Sequence, residues 1–257
     1  MMATPARRRG VAGFGIFTLA MVALCVGLGV WQLQRRVEKH VLIAALTERL
    51  AAPPGSLPQP SRWNALTPDR DEFRRVSFVA RYEHRPDAMV YSSGSAVRND
   101  IAGPGTWAFL PAALSTGETV AINAGFVPNT MQDRGFEDRS VMRLIAKEPV
   151  MLTGYIRFPE AAGTLTPAEN PAKRLWFTRD HLAMARTLGW DAGGRPVAPF
   201  YIDLEAPVPL SGIPKPGPLE VHLKDDHMQY AITWFGLAGA MVIAFGVWWR
   251  AQRRAGS

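Results

Sequence analysis

Two stretches of this chain carry no charge at all, and they constrain its fold more than any other feature. Val11 to Leu33 is uncharged over 23 residues, and Tyr230 to Trp249 over 20. A helix rises about 1.5 Å per residue, so ~20 apolar residues cross a hydrocarbon layer of ~30 Å. Both windows are long enough, and nothing between them is. The sequence therefore predicts two transmembrane helices, one towards each end, flanking a globular domain. The expected division is a basic tail at 1–10, a first span at 11–33, an outer domain at 34–227, a second span at 228–249 and a basic tail at 250–257.

Arg7, Arg8 and Arg9 would also suit the start of a cleaved signal peptide. The apolar run that follows is too long for one. It ends on bulky Val30, Trp31, Gln32 and Leu33 instead of a small-x-small cleavage site. Cys25 does not read as a lipid-attachment site either, because Leu24 fills the position that needs a small residue. The first span is expected to be retained.

The net charge of +7 invites a nucleic-acid reading, and its distribution removes that reading. Six of the positives are Arg7, Arg8, Arg9, Arg250, Arg253 and Arg254, all outside the apolar windows, and no acid precedes Glu38 or follows Asp226. The rest of the chain is close to neutral. The basic residues flank membrane spans and do not form a phosphate-binding surface. By the positive-inside rule both termini face the cytoplasm, with the residues between the spans outside. With 24 Arg against 5 Lys and no amphipathic, Ser-rich transit segment, the expected location is a bacterial inner membrane, with a periplasmic main domain.

The only cysteine, Cys25, falls mid-span. The outer domain has no disulfide to staple it, no CxxC for copper or thiol exchange, and no CxxCH for covalent haem.

After the first span, Gln34 to Leu50 keeps apolar residues at helical spacing, so the helix is expected to run on until the prolines from Pro53. The period then becomes two. Val76 to Tyr82, Ala88 to Tyr91, Trp107 to Leu110, Thr119 to Ile122, Val150 to Arg157, Pro199 to Leu204 and Leu219 to Leu223 read as short strands. One helix is expected at Arg179 to Leu188, stopped by Gly189. Together these predict an α+β membrane protein whose outer domain is mainly β, a small barrel or sandwich.

No GxSxG, HExxH or phosphate loop is present, so the chain is not expected to be an enzyme. His222 and His227, beside Asp225 and Asp226, superficially resemble a metal cluster, but a helix does not place residues five apart on one face. The entry to the second span is more informative. His227, Tyr230, Ala231 and Trp234 share one helical face at i, i+3, i+4 and i+7, although aromatic residues at this depth commonly form an interfacial belt. Gly236, Ala240 and Ala244 could admit another helix, as could Gly27 and Gly29 in the first span.

At these residues the chain resembles a known family. Trp31-Gln32-Leu33-Gln34-Arg35-Arg36-Val37-Glu38-Lys39 is similar to the WQLxRxxxK string that follows the first span in the Surfeit locus protein 1 family. His227-Met228-Gln229-Tyr230-Ala231-Ile232-Thr233-Trp234-Phe235 resembles that family's HLxYAxTWF entry to its second span. Between them Gly103-Pro104-Gly105, Asn123 to Pro128, Arg157-Phe158-Pro159-Glu160 and Asn170 to Asp180 follow the family's order. Where the family usually reads Asn-Arg-Gly-Trp-Val-Pro, this chain has Ala124 and Phe126 in place of the Arg and the Trp.

The resemblance implies an assembly factor for haem-copper terminal oxidases that helps place haem a in the catalytic subunit. The implied partners are that subunit, haem a synthase and membrane lipid. On this reading His227 offers an imidazole nitrogen to haem iron, Tyr230 and Trp234 pack on the macrocycle, and Arg35 and Arg36 meet the propionates. Local hydrogen bonding for His227, and lipid headgroups for the two arginines, are the plainer roles. A permanent accessory subunit without haem is the alternative function.

Overall fold

The computed structural model describes residues 5–95, 98–129, 144–145, 148–220 and 225–254. The chain divides into two units. One comprises residues 1–44 with 223–257, and the other residues 45–222.

The first unit is built on two helices, α1 (Pro5–Ala51) and α4 (His227–Arg254). The spans Gly13–Ala51 and His227–Arg254 are both long and apolar enough to cross a membrane. Only 11% of each apolar window is buried, so their side chains face outward, unlike those of a core helix in a soluble protein. As expected, α1 continues well past the apolar window.

Aromatic and small residues join the pair. Phe14 lies edge-on to Trp248 at 4.7 Å and 5.9 Å from Phe245. Gly29 faces the ring of Phe235 so closely that a Cβ there would come within 2.7 Å of it. Cys25, Ala231 and Ala238 are buried. Of the small residues expected to admit a helix, Gly29 meets α4, whereas Gly27 and Gly236 have nothing within 4 Å among the described residues.

In the second unit the short strand β1 (Gly55–Ser56) and the one-turn helix α2 (Pro68–Asp71) precede a run of longer strands. These are β2 (Arg75–Tyr82), β3 (Ala88–Ser92), β4 (Gly105–Ala113), β5 (Thr119–Pro128) and β6 (Val150–Arg157). The two-residue β7 (Leu175–Trp176), helix α3 (His181–Leu188) and β8 (Val197–Ala206) complete it. The strand order is β1-β2-β6-β8-β5-β4-β3-β7, with a further pairing of β2 to β4. That pairing, Arg81 with Ala113 and Tyr82 with Ala112, returns the ladder to its start through β2, β6, β8, β5 and β4.

The period of two in β2 puts Val76, Phe78, Ala80 and Tyr82 on one buried face. They join Leu110, Ile122, Leu152, Ile156, Phe200 and Ile202 in the larger core. A second core lies on the opposite face of β4 and β5, where Phe109, Phe126 and Tyr201 pack with Trp176, Met184 and Trp190. With both faces covered, β4 and β5 are buried along nearly their whole length, without alternation. This is why they extend beyond the segments expected from the sequence.

Helix α3 begins two residues later than expected. Asp180 is its cap, and its Oδ1 accepts from the backbone N–H of Leu182 at 3.1 Å and Ala183 at 3.0 Å. Gly189, at φ +71°, stops it.

The strand expected at Leu219 to Leu223 does not appear in its described part. Leu219 and Glu220 belong to no strand, and residues 221–224 lie outside the described residues. Pro214, Pro216 and Pro218 interleave this approach and cannot donate to a ladder. Leu219 is instead buried with Leu50 and Tyr155, next to Phe73. The same segment crosses β5 by paired backbone bonds between Lys215 and Phe126. Only glycine fits at 125 beneath it: φ is +127°, and a Cβ would sit 2.4 Å from the Lys215 backbone.

Candidate functional site at the edge of the helix pair

The residues singled out at the head of α4 meet a polar stripe on α1. Cys25, Gly29, Gln32, Arg36 and His40 follow one another at spacings of four, three, four and four. That period places them on one face, and four of the five make recorded contacts with α4 or its leading residues. His227 Nδ1 lies 2.7 Å from Gln32 Oε1. His40 Nε2 lies 2.7 Å from Asp225 Oδ2, with Arg36 Nε at 3.5 Å from the same oxygen. Arg36 Nη1 reaches the Met228 sulfur at 3.7 Å.

Asp225 organises the group. Its Oδ1 accepts the backbone N–H of His227, the first residue of α4, at 3.1 Å. Its other oxygen faces Arg36 and His40. Desolvation pushes its acidity the other way, but the His227 N–H and His40 outweigh it and hold the carboxyl below its ordinary range.

The bond to Gln32 sets the state of His227. An amide oxygen only accepts, so Nδ1 carries the proton and donates. Nε2 has no hydrogen-bond partner among the described residues. A ring held through one nitrogen with the other unengaged is the usual state of a metal-binding histidine. The ring is half-buried, Trp234 is partly buried one to two turns further on, and Tyr230 is exposed.

The two arginines differ. Arg36 belongs to the cluster, and its Nε finds no hydrogen bond. Arg35 bonds Glu38 on its own helix at 2.8 Å and lies over Trp31 at 5.7 Å, so it takes no part. Sequence reasoning missed Gln32, His40 and Asp225 as partners of His227. The spacing of four between Gln32 and Arg36 and again between Arg36 and His40 was the available signal. Among the described residues no group of three His, Cys, Asp or Glu is placed to hold a free metal ion. His222 lies outside the described residues.

The SURF1 family model matches residues 19–239, spanning both membrane-edge strings and the whole outer domain. The chain belongs to the SURF1 family. Surfeit locus protein 1 of Rattus norvegicus is 32% identical over 235 residues, covering 87% of this chain and 72% of that protein. Surfeit locus protein 1 of Homo sapiens is 30% identical over 226 residues, 83% and 70% of the two chains. A SURF1-like protein of Monosiga brevicollis is 26% identical over 266 residues, covering 100% of this chain and 93% of that protein. The family match thus takes in both partners of the polar cluster, the α1 stripe and the head of α4.

Proposed function

We propose that this SURF1-family chain is an assembly factor for a haem-copper terminal oxidase, acting as a non-catalytic holder that presents haem a to the catalytic subunit. The observation that carries the reading is the His227 ring, fixed through Nδ1 by Gln32 with Nε2 unengaged. Neutral imidazole is a strong ligand for haem iron. Tyr230 and Trp234 supply aromatic surface on the same helix. Arg36 retains donors for a propionate, since its Nη1 has only a thioether as acceptor. Arg35, already paired with Glu38, is left to lipid headgroups.

A holder differs from an enzyme in what it needs. Its ligand must leave, so a half-exposed site with one protein ligand suits it better than an enclosed one with two. In this proposal the two helices anchor the chain in a bacterial inner membrane with both termini cytoplasmic and the outer domain periplasmic, and haem a synthase is the neighbour from which the cargo arrives.

His227→Ala, in membranes containing the intact oxidase pathway, tests this. The expected result is a loss of co-purifying haem of about tenfold and slowed oxidase maturation, with the protein still in the membrane. Gln32→Leu should retain His227 and weaken haem retention less. Equal haem recovery from wild type and His227→Ala, together with a stoichiometric band in the mature oxidase, would favour a permanent accessory subunit. The unengaged small residues Gly27, Gly236 and Gly239 are what such a subunit would offer a neighbouring helix.

A further inference from the structure

Among the described residues of the outer domain, Arg179 carries a largely enclosed guanidinium that makes no hydrogen bond. Its side chain is 13% exposed. Its two acidic neighbours stand at 3.9 Å (Asp203 Oδ2) and 4.0 Å (Glu160 Oε1). Both are ion-pair separations, too long for hydrogen bonds. Its face lies over the Trp107 ring at 4.9 Å, which satisfies none of its five donors. No Arg179 nitrogen is sealed from solvent, so these donors stay open to an incoming acceptor.

The neighbouring arginine shows what a satisfied one looks like. Arg157 donates from Nε to Glu72 at 3.0 Å and from Nη1 to Asp203 at 3.0 Å. Asp203 also accepts from Asn123 at 2.6 Å. The acids on that side are therefore already engaged, and Arg179 is left over.

Arg179 opens onto a recess of about 260 Å³. Its walls include Tyr91, Trp107 and Phe177, with Arg157 and Glu160 beside Arg179. The charged lining thus comprises two arginines and one carboxylate. Glu160 is about half-exposed, 47% by side chain, and is free to turn to solvent. The indole N–H of Trp107 is buried without an acceptor. Pockets for drug-sized ligands begin at about 300 Å³, so this one suits a body the size of a single side chain.

We propose that this recess binds a carboxylate carried on an aromatic or similarly sized apolar body, with Arg179 as the anchor. The fork of a guanidinium matches the two oxygens of a carboxylate. Trp107 holds that fork from one side, and Tyr91 and Phe177 give the apolar body its walls. The site is independent of the His227 reading and lies wholly within the second unit. Either a small free acid or the C-terminal carboxylate of a peptide would present this chemistry.

The test uses the full chain in zwitterionic-lipid nanodiscs, titrated calorimetrically with empty nanodiscs as blank. The probes are 3-phenylpropionate and N-acetyl-Gly-Phe, each beside its amide. At least one acid should bind, with its amide weaker by about tenfold, the loss expected when a charge-assisted pair is removed. Binding of the small acid alone identifies a free acid as the natural class, and binding of the peptide alone a C-terminus. Arg179→Gln should weaken the acid by about tenfold. Phe177→Ala, which leaves every charge in place, should weaken it severalfold and decides the matter if Arg179→Gln does not fold. No heat from either acid, acid and amide binding alike, or an unchanged affinity in Phe177→Ala overturns the proposal.

Discussion

Two carboxylates, Asp203 in the outer domain and Asp225 at the head of α4, each gather an arginine and a second donor, and they do different work. Asp203 is buried on β8. It is bonded by Arg157 and Asn123 at 3.0 and 2.6 Å, and no edge of it meets water freely. Asp225 sits at a helix end among half-exposed groups, with Arg36 at 3.5 Å and His40 at 2.7 Å. An enclosed cluster must be saturated, because each unmet donor is penalised in low dielectric. An open cluster can leave a nitrogen unengaged, because water covers the cost. An open side is therefore tolerated at Asp225 and His227, whereas Arg157 and Asn123 hold Asp203 structurally and only Arg179, 3.9 Å from that carboxylate, is left without a hydrogen bond there.

The comparison breaks most visibly at Asp203. Asp203→Ala strands Arg157 and Asn123 in the domain interior, and should cost about 3–5 kcal/mol of domain stability. Denaturant unfolding followed by the emission of the buried Trp63, Trp107, Trp176 and Trp190 reads this directly. A loss below about 1 kcal/mol would mean that the cluster is not saturated in solution.

The next largest effect belongs to His181, fully buried with Nε2 on the Ala198 carbonyl at 2.9 Å. Burial lowers its pKa from 6.5 to about 4. The unfolded chain then takes up a proton near pH 6.5 that the native state refuses until about pH 4. Stability is full above pH 6.5 and falls as pH drops through that window, by ~3 kcal/mol in all. His181→Gln should flatten that part of the pH profile, and an unaltered profile would assign the acid sensitivity to other groups.

The smallest effect is expected at Asp225. Asp225→Asn should leave the unfolding midpoint of the outer domain where it was and alter only haem retention at His227. If it lowered that midpoint as much as Asp203→Ala does, the distinction between the two clusters would fail.

How far this was legible in the sequence depends on the range of the interaction. The period of two located β2 closely, because Val76, Phe78, Ala80 and Tyr82 are buried and the residues between them are less so. It undershot β4 and β5, where a second core covers the outer face and removes the alternation. The parallel pairing of β5 with β8 left no local trace, since it joins segments about eighty residues apart. At the site, the face formed by His227, Tyr230 and Trp234 was readable within one helix. Gln32 and His40 were not tied to it, because their meeting with His227 and Asp225 requires two segments nearly two hundred residues apart to pack.

The sequence by itself determined the two apolar helices, their basic flanks, the strand-rich interior and the family strings at both membrane edges. Each of these is written within a window of ten to thirty residues, the range over which hydrophobic length and periodicity act. Only the tertiary structure decided which nitrogen of His227 is engaged, which arginine joins it, and that Arg179 is left without a bonded acid. Those outcomes depend on contacts of a few ångströms between distant segments, where a hydrogen bond is made or missed by less than the length of one side chain.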